Sequence, residues 1–323
     1  MRVVRVARFG GPEELVPGQA PEPTAGPGQV VVEVAVAGMT FVETQIRRGT
    51  DQWHEPPQLP YIPGQLVAGT VKEAGAGADS SWLGRRVLAG TGETGGFAEQ
   101  AVAAVGDLTP VPDRLGLPEA TALFSDGSTA LGLMENAEVK AGEWVLVEAA
   151  AGGVGSLLVQ LARAAGARVV GAVGSGRKLD VVTELGADAA VDYSLPDWTE
   201  RVRDVTGGAG PNVVFDGVGG RIGRAAFEAT ARGGRFSVHG AASGEATSVE
   251  PARAADRDVR VLGIEQLFNF PAHQARWAEQ MMAHAAVGLV RPLIGQTFPL
   301  ERAADAHRAI EDRTAVGKSL LVL

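Results

Sequence analysis

Apolar positions follow two regimes along the chain. Up to about residue 120 they form short runs broken by Gly and Pro, and strands are predicted at 3–9, 29–37 (QVVVEVAVA), 66–74 and 86–89. Pro17, Pro21, Pro23 and Pro27 make the first loop stiff and non-helical. Residues 118–139 switch to helical spacing through Ala120, Leu123, Leu131 and Leu133. From Trp144 to about Ile264 the two patterns alternate. Strands are predicted at 144–148, 168–173, 189–192, 212–216, 234–239 and 259–264, with helices at 154–165, 177–186, 197–205 and 220–231. Such alternation gives a parallel sheet with helices on both faces and right-handed crossovers. A helix at 271–289, another at 301–311 and a last strand at 319–323 complete the pattern.

The stretch 142–155, GEWVLVEAAAGGVG, has the densest chemistry. Trp144 to Val147 suits a buried strand, and Gly152, Gly153 and Gly155 follow it. Val154, Leu157, Leu158, Leu161 and Ala165 then mark one apolar helix face. Strand, glycine turn and helix is the layout of a dinucleotide site. Glycines let the backbone approach a pyrophosphate, and the helix start offers free N–H groups and positive potential. The turn reads Ala150-x-Gly152-x-x-Gly155, with Ala in the first glycine's place. A plain glycine turn shares this spacing; the flanking strand and helix favour the dinucleotide reading.

At 323 residues the chain is long enough for two cores. A content of 45% hydrophobic and 21% charged residues is that of a soluble globular protein. There is no cysteine, which excludes disulfides, thiolate zinc sites and cysteine nucleophiles. The net charge of −9 disfavours non-specific nucleic-acid binding. No leader pattern opens the sequence and no apolar run is long enough to cross a bilayer, so a cytoplasmic protein without membrane partners is expected.

Seven segments together carry a resemblance: LPYIPG at 59–64, GGFAEQ at 95–100, AAAGGVGSLLVQLARAAGA at 149–167, ELGADAAVDY at 184–193, TGGAGPNVVFDGVGG at 206–220, IGQTFPL at 294–300 and GKSLLVL at 317–323. In this order and spacing the chain resembles the zinc-independent quinone oxidoreductase branch of the medium-chain dehydrogenase/reductase superfamily. The resemblance implies an α/β protein. A GroES-like β-rich substrate domain (1–121 and 293–323) would carry an inserted Rossmann doubly wound parallel sheet (122–292), with the active-site cleft where the two meet. It also implies a homodimer paired through Rossmann sheet edges, the strand at 259–264 being the corresponding edge.

Zinc-dependent relatives hold the metal with Cys and His. The matching positions here are Thr40 and Gln65, neither a primary zinc ligand, and the five histidines are scattered without ligand spacing, so no metal is expected. His239 ends a strand where the family packs the nicotinamide; a structural role is equally consistent.

The second predicted strand of the alternating region is followed by Gly174, Ser175, Gly176, Arg177 and Lys178, with no acid from Ala167 to Leu179. An NAD site places a carboxylate there, which would repel a 2′-phosphate; two cations would instead bind one. The cofactor read from these residues is NADP(H). The resemblance adds Ala151, Gly152, Gly153, Val154, Tyr193, His239, Gly240 and Lys318 to Gly174, Ser175, Arg177 and Lys178 as cofactor-binding positions.

Without a metal to activate an alcohol, hydride transfer to an electron-poor acceptor makes the smaller demand. The resemblance implies reduction of a quinone or an α,β-unsaturated carbonyl. Where many relatives read GLNFID, this chain reads GMTFVE, so Thr40 and Glu43 are catalytic candidates, with Thr129 of the GSTA stretch (127–130), placed at the start of the linking helix. Gln45, Trp53, Tyr61 and Asn269 are candidate substrate-pocket residues. Two other readings stay open: a tailoring enoyl or keto reductase for a larger, polyketide-like substrate, and an NADPH-binding protein without turnover.

Overall fold

The structure is a computed structural model and describes all 323 residues. The chain divides into two compact units, Met1–Phe124 with Ile294–Leu323, and Ser125–Leu293.

The first unit begins with strands β1 (Arg2–Val6) and β2 (Leu15–Gln19), paired antiparallel. Pro17 sits inside β2, where a proline is tolerated because this strand pairs on one side only. Strand β3 (Gln29–Gly38) follows, then helix α1 (Phe41–Arg48), β4 (Leu66–Ala74), β5 (Arg86–Gly90), β6 (Gln100–Ala104) and β7 (Leu108–Pro110). Apolar side chains from β1, β3, β4 and β5, among them Val4, Val30, Val32, Val67 and Val87, meet Phe97 in one core. Helix α1 lies outside the predicted elements, although T-x-x-E at Thr40–Glu43 is a recognisable helix-start signature. The Glu43 carboxylate accepts the Thr40 backbone N–H at 2.6 Å, and Gly49, in the left-handed region, closes the helix.

Helix α2 (Leu117–Ala137) is longer at its start than the GSTA reading implied. Gly127 to Ala130 lie in its middle rather than at its beginning, because helical spacing already starts at Leu117. Its glycines admit neighbours. A Cβ on Gly132 would stand 2.7 Å from Trp277 Cη2 and 2.8 Å from Phe270 Cε2, and one on Gly127 would stand 2.8 Å from Met281 Cγ.

The second unit alternates β8 (Trp144–Val147), α3 (Gly153–Ala164), β9 (Arg168–Val173), α4 (Leu179–Glu184), β10 (Ala189–Asp192), α5 (Trp198–Val205), β11 (Val213–Asp216), α6 (Gly220–Ala229), β12 (Arg235–Val238), α7 (Pro251–Asp256), β13 (Arg260–Leu262) and α8 (Gln274–Ala286). All six strands are parallel, in the order β10-β9-β8-β11-β12-β13. Third-second-first-fourth-fifth-sixth is the doubly wound order, and its switch point lies between β8 and β11. The predicted helix at 271–289 is shorter than its apolar spacing suggests. Residues Ile264–His273 form a 3-10 segment containing Pro271, which denies α8 an earlier start.

The chain then returns to the first unit through β14 (Ile294–Pro299), α9 (Ala303–Glu311) and β15 (Lys318–Val322). β15 pairs with β3, giving the sheet β14-β15-β3-β4-β5-β7, with β6 also on β3. A GroES-like β-rich unit interrupted by a Rossmann sheet is the result.

Close packing at Gly132 gives a direct test. Gly132→Val should lower unfolding stability by about 1–3 kcal/mol, since two ring edges must move. Gly106→Ala, with nothing within 4 Å of its added Cβ, should change it by less than about 0.5 kcal/mol. Denaturant unfolding of both variants measures the difference.

Candidate functional site

In the second unit the carboxyl ends of β8, β9 and β10 carry nine of the twelve cofactor-binding positions that the sequence singled out. After β8 the backbone turns sharply. Ala149 takes a positive φ of 47°, and its carbonyl accepts the Gly152 N–H at 2.8 Å. Gly155 then passes so near the strand that a Cβ there would run into the Ala149 carbonyl oxygen and approach Ala150 Cα to 2.9 Å. This glycine is required by helix–strand packing. Gly152 is different: a Cβ would meet only the Ala149 oxygen, at 3.1 Å, and otherwise find open space. Gly152, Gly153 and Val154 are half-buried, whereas Ala151 is buried. The open backbone at the start of α3 therefore fits a pyrophosphate. Asp126 is a neighbour that sequence reasoning missed; its Oδ2 stands where a Cβ of Gly153 would be.

Beyond β9, Gly174 is exposed and Ser175 half-buried. A Cβ on Gly174 would lie 3.0 Å from the Tyr193 hydroxyl, so the two meet at the ends of β9 and β10. Burial, and then the Arg177 charge, hold the Lys178 ammonium below the usual lysine range. Arg177 is exposed and forms no ion pair. A nearby acid not anticipated is Asp192, 3.9 Å from a Cβ position on Gly176; its Oδ1 is engaged by the Ser194 N–H at 2.9 Å. Half-buried and exposed cations, a tyrosine hydroxyl and a free Ser175 surface fit a ribose phosphate.

At the far side of the switch point, His239 and Gly240 follow β12. The His239 Nδ1 is shielded and has no hydrogen-bond partner. Burial lowers its pKa to about 4 against the opposing charge of Asp216, so the ring is neutral at physiological pH. Glu148, directly after β8, and Asp216, ending β11, are wholly buried acids that the sequence reading passed over. The available signal was an acid closing each of two apolar runs, WVLV-Glu148 and VVF-Asp216. Thr129 is half-buried in α2 and Asn269 is exposed on the 264–273 segment.

In the first unit Thr40, Glu43, Tyr61 and Lys318 converge. The Thr40 hydroxyl donates to Glu43 Oε2 at 3.1 Å. Burial pushes the Glu43 carboxyl up, against the Thr40 N–H bond and the Lys318 charge. Its Oε1 is buried without a partner. Tyr61 belongs to the hydrophobic core, bridging backbone to backbone with Val6, and burial and then Glu43 push its phenol up to about 12. Gln45 is half-buried on α1, while Trp53 is exposed on the following loop. Gln65 occupies the other expected zinc position, and no group of three or more His, Cys, Asp or Glu that could hold a metal is present.

A GroES-like unit and a Rossmann unit with a glycine turn at its switch point define a dehydrogenase/reductase of the medium-chain class. Residues 26–113 match the alcohol dehydrogenase GroES-like domain and residues 153–285 the zinc-binding dehydrogenase domain. A quinone oxidoreductase of Rattus norvegicus is 32% identical over 100% of this chain and 98% of its own length. A 2-haloacrylate reductase of a Burkholderia species is 30% identical over 98% and 97%. Among solved structures, the quinone oxidoreductase of Thermus thermophilus, described with its NADPH complex, has a TM-score of 0.84 at 32% identity, covering 100% of both chains. The chain belongs to the quinone oxidoreductase branch of the medium-chain dehydrogenase/reductase superfamily.

The two glycines of the turn should separate in stability. Gly155→Ala should cost about 2–3 kcal/mol, because the added methyl meets backbone. Gly152→Ala should cost less than about 1 kcal/mol. Thermal and denaturant unfolding of the two variants, compared with wild type, checks this.

Proposed function

We propose that the protein is an NADPH-dependent, zinc-free reductase that delivers hydride to a quinone or an α,β-unsaturated carbonyl compound. The observation that carries the cofactor choice is the end of β9, where Gly174 lies against the Tyr193 hydroxyl, exposed Arg177 and half-buried Lys178 follow, and no carboxylate closes the strand. NADPH, when bound, supplies the hydride. The glycine turn Ala151–Val154 would hold the pyrophosphate at the start of α3. Gly174, Ser175, Arg177, Lys178 and Tyr193 would hold the 2′-phosphate, and His239, Gly240 and Lys318 complete the cofactor set. The second unit is thus the NADP-binding domain and the first the substrate domain.

Thr40 and Glu43 are assigned to proton delivery. The Thr40 hydroxyl gives its proton to the reduced acceptor, the Glu43 carboxyl bonded to it replaces that proton, and a proton taken up from solvent returns Glu43 to its acid form. The raised carboxyl of Glu43 supports its role as a reservoir. Thr129, Gln45 and Trp53 are assigned to the acceptor's surroundings, with Asn269; Tyr61, locked in the core, is assigned to packing. The Burkholderia relative, named for a substrate with an activated double bond, favours keeping enones beside quinones as acceptors. Zinc independence rests on the chemistry of Thr40 and Gln65, which offer neither thiolate nor imidazole. No helix is long and apolar enough to cross a membrane, and we place the protein in the cytoplasm. As β13 ends its sheet, we assign it as the edge through which two copies pair.

The test is cofactor discrimination. The double change Arg177→Ala, Lys178→Ala removes two charge-assisted bonds, together roughly 2–3 kcal/mol when partly solvated. NADPH affinity should fall about 30- to 150-fold. NADH affinity should move less than about threefold. Titration at fixed salt measures both; equal affinity of wild type for NADH and NADPH, or equal losses in the variant, would overturn the assignment. NADPH oxidation with 1,4-naphthoquinone, 9,10-phenanthrenequinone and simple enones then identifies the acceptor. Glu43→Gln should lower turnover with the best acceptor about 10²-fold or more while leaving NADPH affinity within about threefold.

A further inference from the structure

Two buried carboxyl groups meet beneath the switch point of the parallel sheet. Glu148 directly follows β8 and Asp216 ends the adjacent β11. The Val218 N–H donates to both, at 3.3 Å to Glu148 Oε2 and 3.0 Å to Asp216 Oδ1. Oxygens that share one N–H are neighbours, and ionised carboxylates are acceptors only. The remaining oxygens, Glu148 Oε1 and Asp216 Oδ2, are buried without a hydrogen-bond partner. No Lys or Arg forms an ion pair with either acid. The charged or titratable side chain that faces Glu148 is Asp216; His239, after β12, faces Asp216 in turn and is neutral. Two adjacent carboxylates in so dry a place cannot both stay ionised.

The same acids hold a turn. Asp216 Oδ1 also accepts the Gly219 N–H at 2.7 Å, and the Asp216 carbonyl accepts the His239 N–H at 2.8 Å. Ser243 N–H reaches the Val218 carbonyl at 2.8 Å. The turn at Val218–Gly219 therefore links the start of α6 to the loop after β12, along the carboxyl edge opposite the glycine turn.

We propose that Glu148 and Asp216 share one proton, so that the pair carries a single negative charge, and that in this state it positions the Val218–Gly219 turn for dinucleotide binding. The positioning half rests on the dinucleotide reading above. Glu148 touches no cofactor in this account; it acts through Asp216 and the turn, and is a positioning residue. Burial, and then the Asp216 charge, push the Glu148 carboxyl well above the usual range. The sign follows. A raised carboxyl contributes most to stability at low pH, and that contribution is lost as pH rises through its folded pKa. Ionised Glu148 repels Asp216, and adds a second negative charge under a site for an anion.

The experiment measures NADH and NADPH dissociation constants from about pH 6 to about pH 9.5, on wild type and Glu148→Gln, together with infrared spectra of the cofactor-free proteins. NADH lacks the 2′-phosphate, so its pH profile is independent of Lys178. Wild-type NADH affinity should fall with rising pH, approaching about tenfold per pH unit above the pair's pKa. Glu148→Gln, neutral throughout, should match wild type within about threefold near pH 6 and stay level above it. Wild type should show the absorption of a buried protonated carboxyl, lost at high pH and missing from Glu148→Gln. A Glu148→Gln profile that falls like wild type, a loss of more than about tenfold at low pH in a folded variant, or no difference in the carboxyl absorption would overturn the proposal. If neither cofactor binds wild type at any pH, the dinucleotide reading and the positioning half fall together, and the infrared comparison still decides the shared proton.

Discussion

The approach of Gly155 to the Ala149 carbonyl is the constraint on which the second unit depends. With no side chain in the way, α3 starts tight against the end of β8. Its first turn then lies at the switch point between β8 and β11, where a parallel sheet leaves a crevice. Ala149 accepts a positive φ at the same turn, which L residues rarely adopt. Both departures from easy backbone geometry leave N–H groups at the start of a helix, beside half-buried glycines, where an anion would fit.

Charge along the carboxyl edge is arranged by position. Arg177 and Lys178 stand after β9, where the phosphate distinguishing NADPH would lie. Acids appear at β8 and β11, sealed from solvent and locked onto the Val218 and Gly219 N–H groups. A carboxylate at the end of β9 would bind ribose hydroxyls, whereas one bonded to backbone N–H groups shapes a loop. The first unit repeats this in miniature. Glu43 starts as a helix cap on the Thr40 N–H, and burial pushes its carboxyl up against the bonds from the Thr40 N–H and hydroxyl.

Much of this was legible in the sequence, for physical reasons that differ between the units. β9, β10 and β4 fall on the predicted residues because each contains a short apolar run in a segment that breakers bound. β6 and β7 escaped notice, since QAVAA and LTP are too short and too weakly apolar to stand out; pairing with β3 and β5 makes them strands. Helix α1 is only eight residues long, too short for its apolar spacing to stand out, and its one local signal is the Thr40–Glu43 capping signature. The glycine turn and the Arg177–Lys178 pair are local in sequence, so the pattern alone located them. The Glu148–Asp216 pair is not: 68 residues separate the two acids, and only the adjacency of β8 and β11 joins them. Tyr61, a candidate for the substrate pocket, lies in the core, its backbone bridged to Val6.

Placement of both acid clusters follows one physical rule. A buried carboxyl persists only where backbone N–H groups, a partner charge or a retained proton offsets its desolvation. At Asp216 two N–H groups supply that offset, at 3.0 and 2.7 Å. Glu148 receives a single N–H, at 3.3 Å and shared with its neighbour. The weaker share falls to Glu148, so Glu148 is the acid that keeps the proton, and its charge state, not its shape, sets how firmly the turn is held. Glu43 has the Lys318 charge nearby as well as the Thr40 N–H and hydroxyl, and all three oppose the rise that burial causes. The difference suits the two proposed roles: the carboxyl assigned to proton delivery sits beside a cation and a hydroxyl, and the one assigned to positioning sits beside another acid.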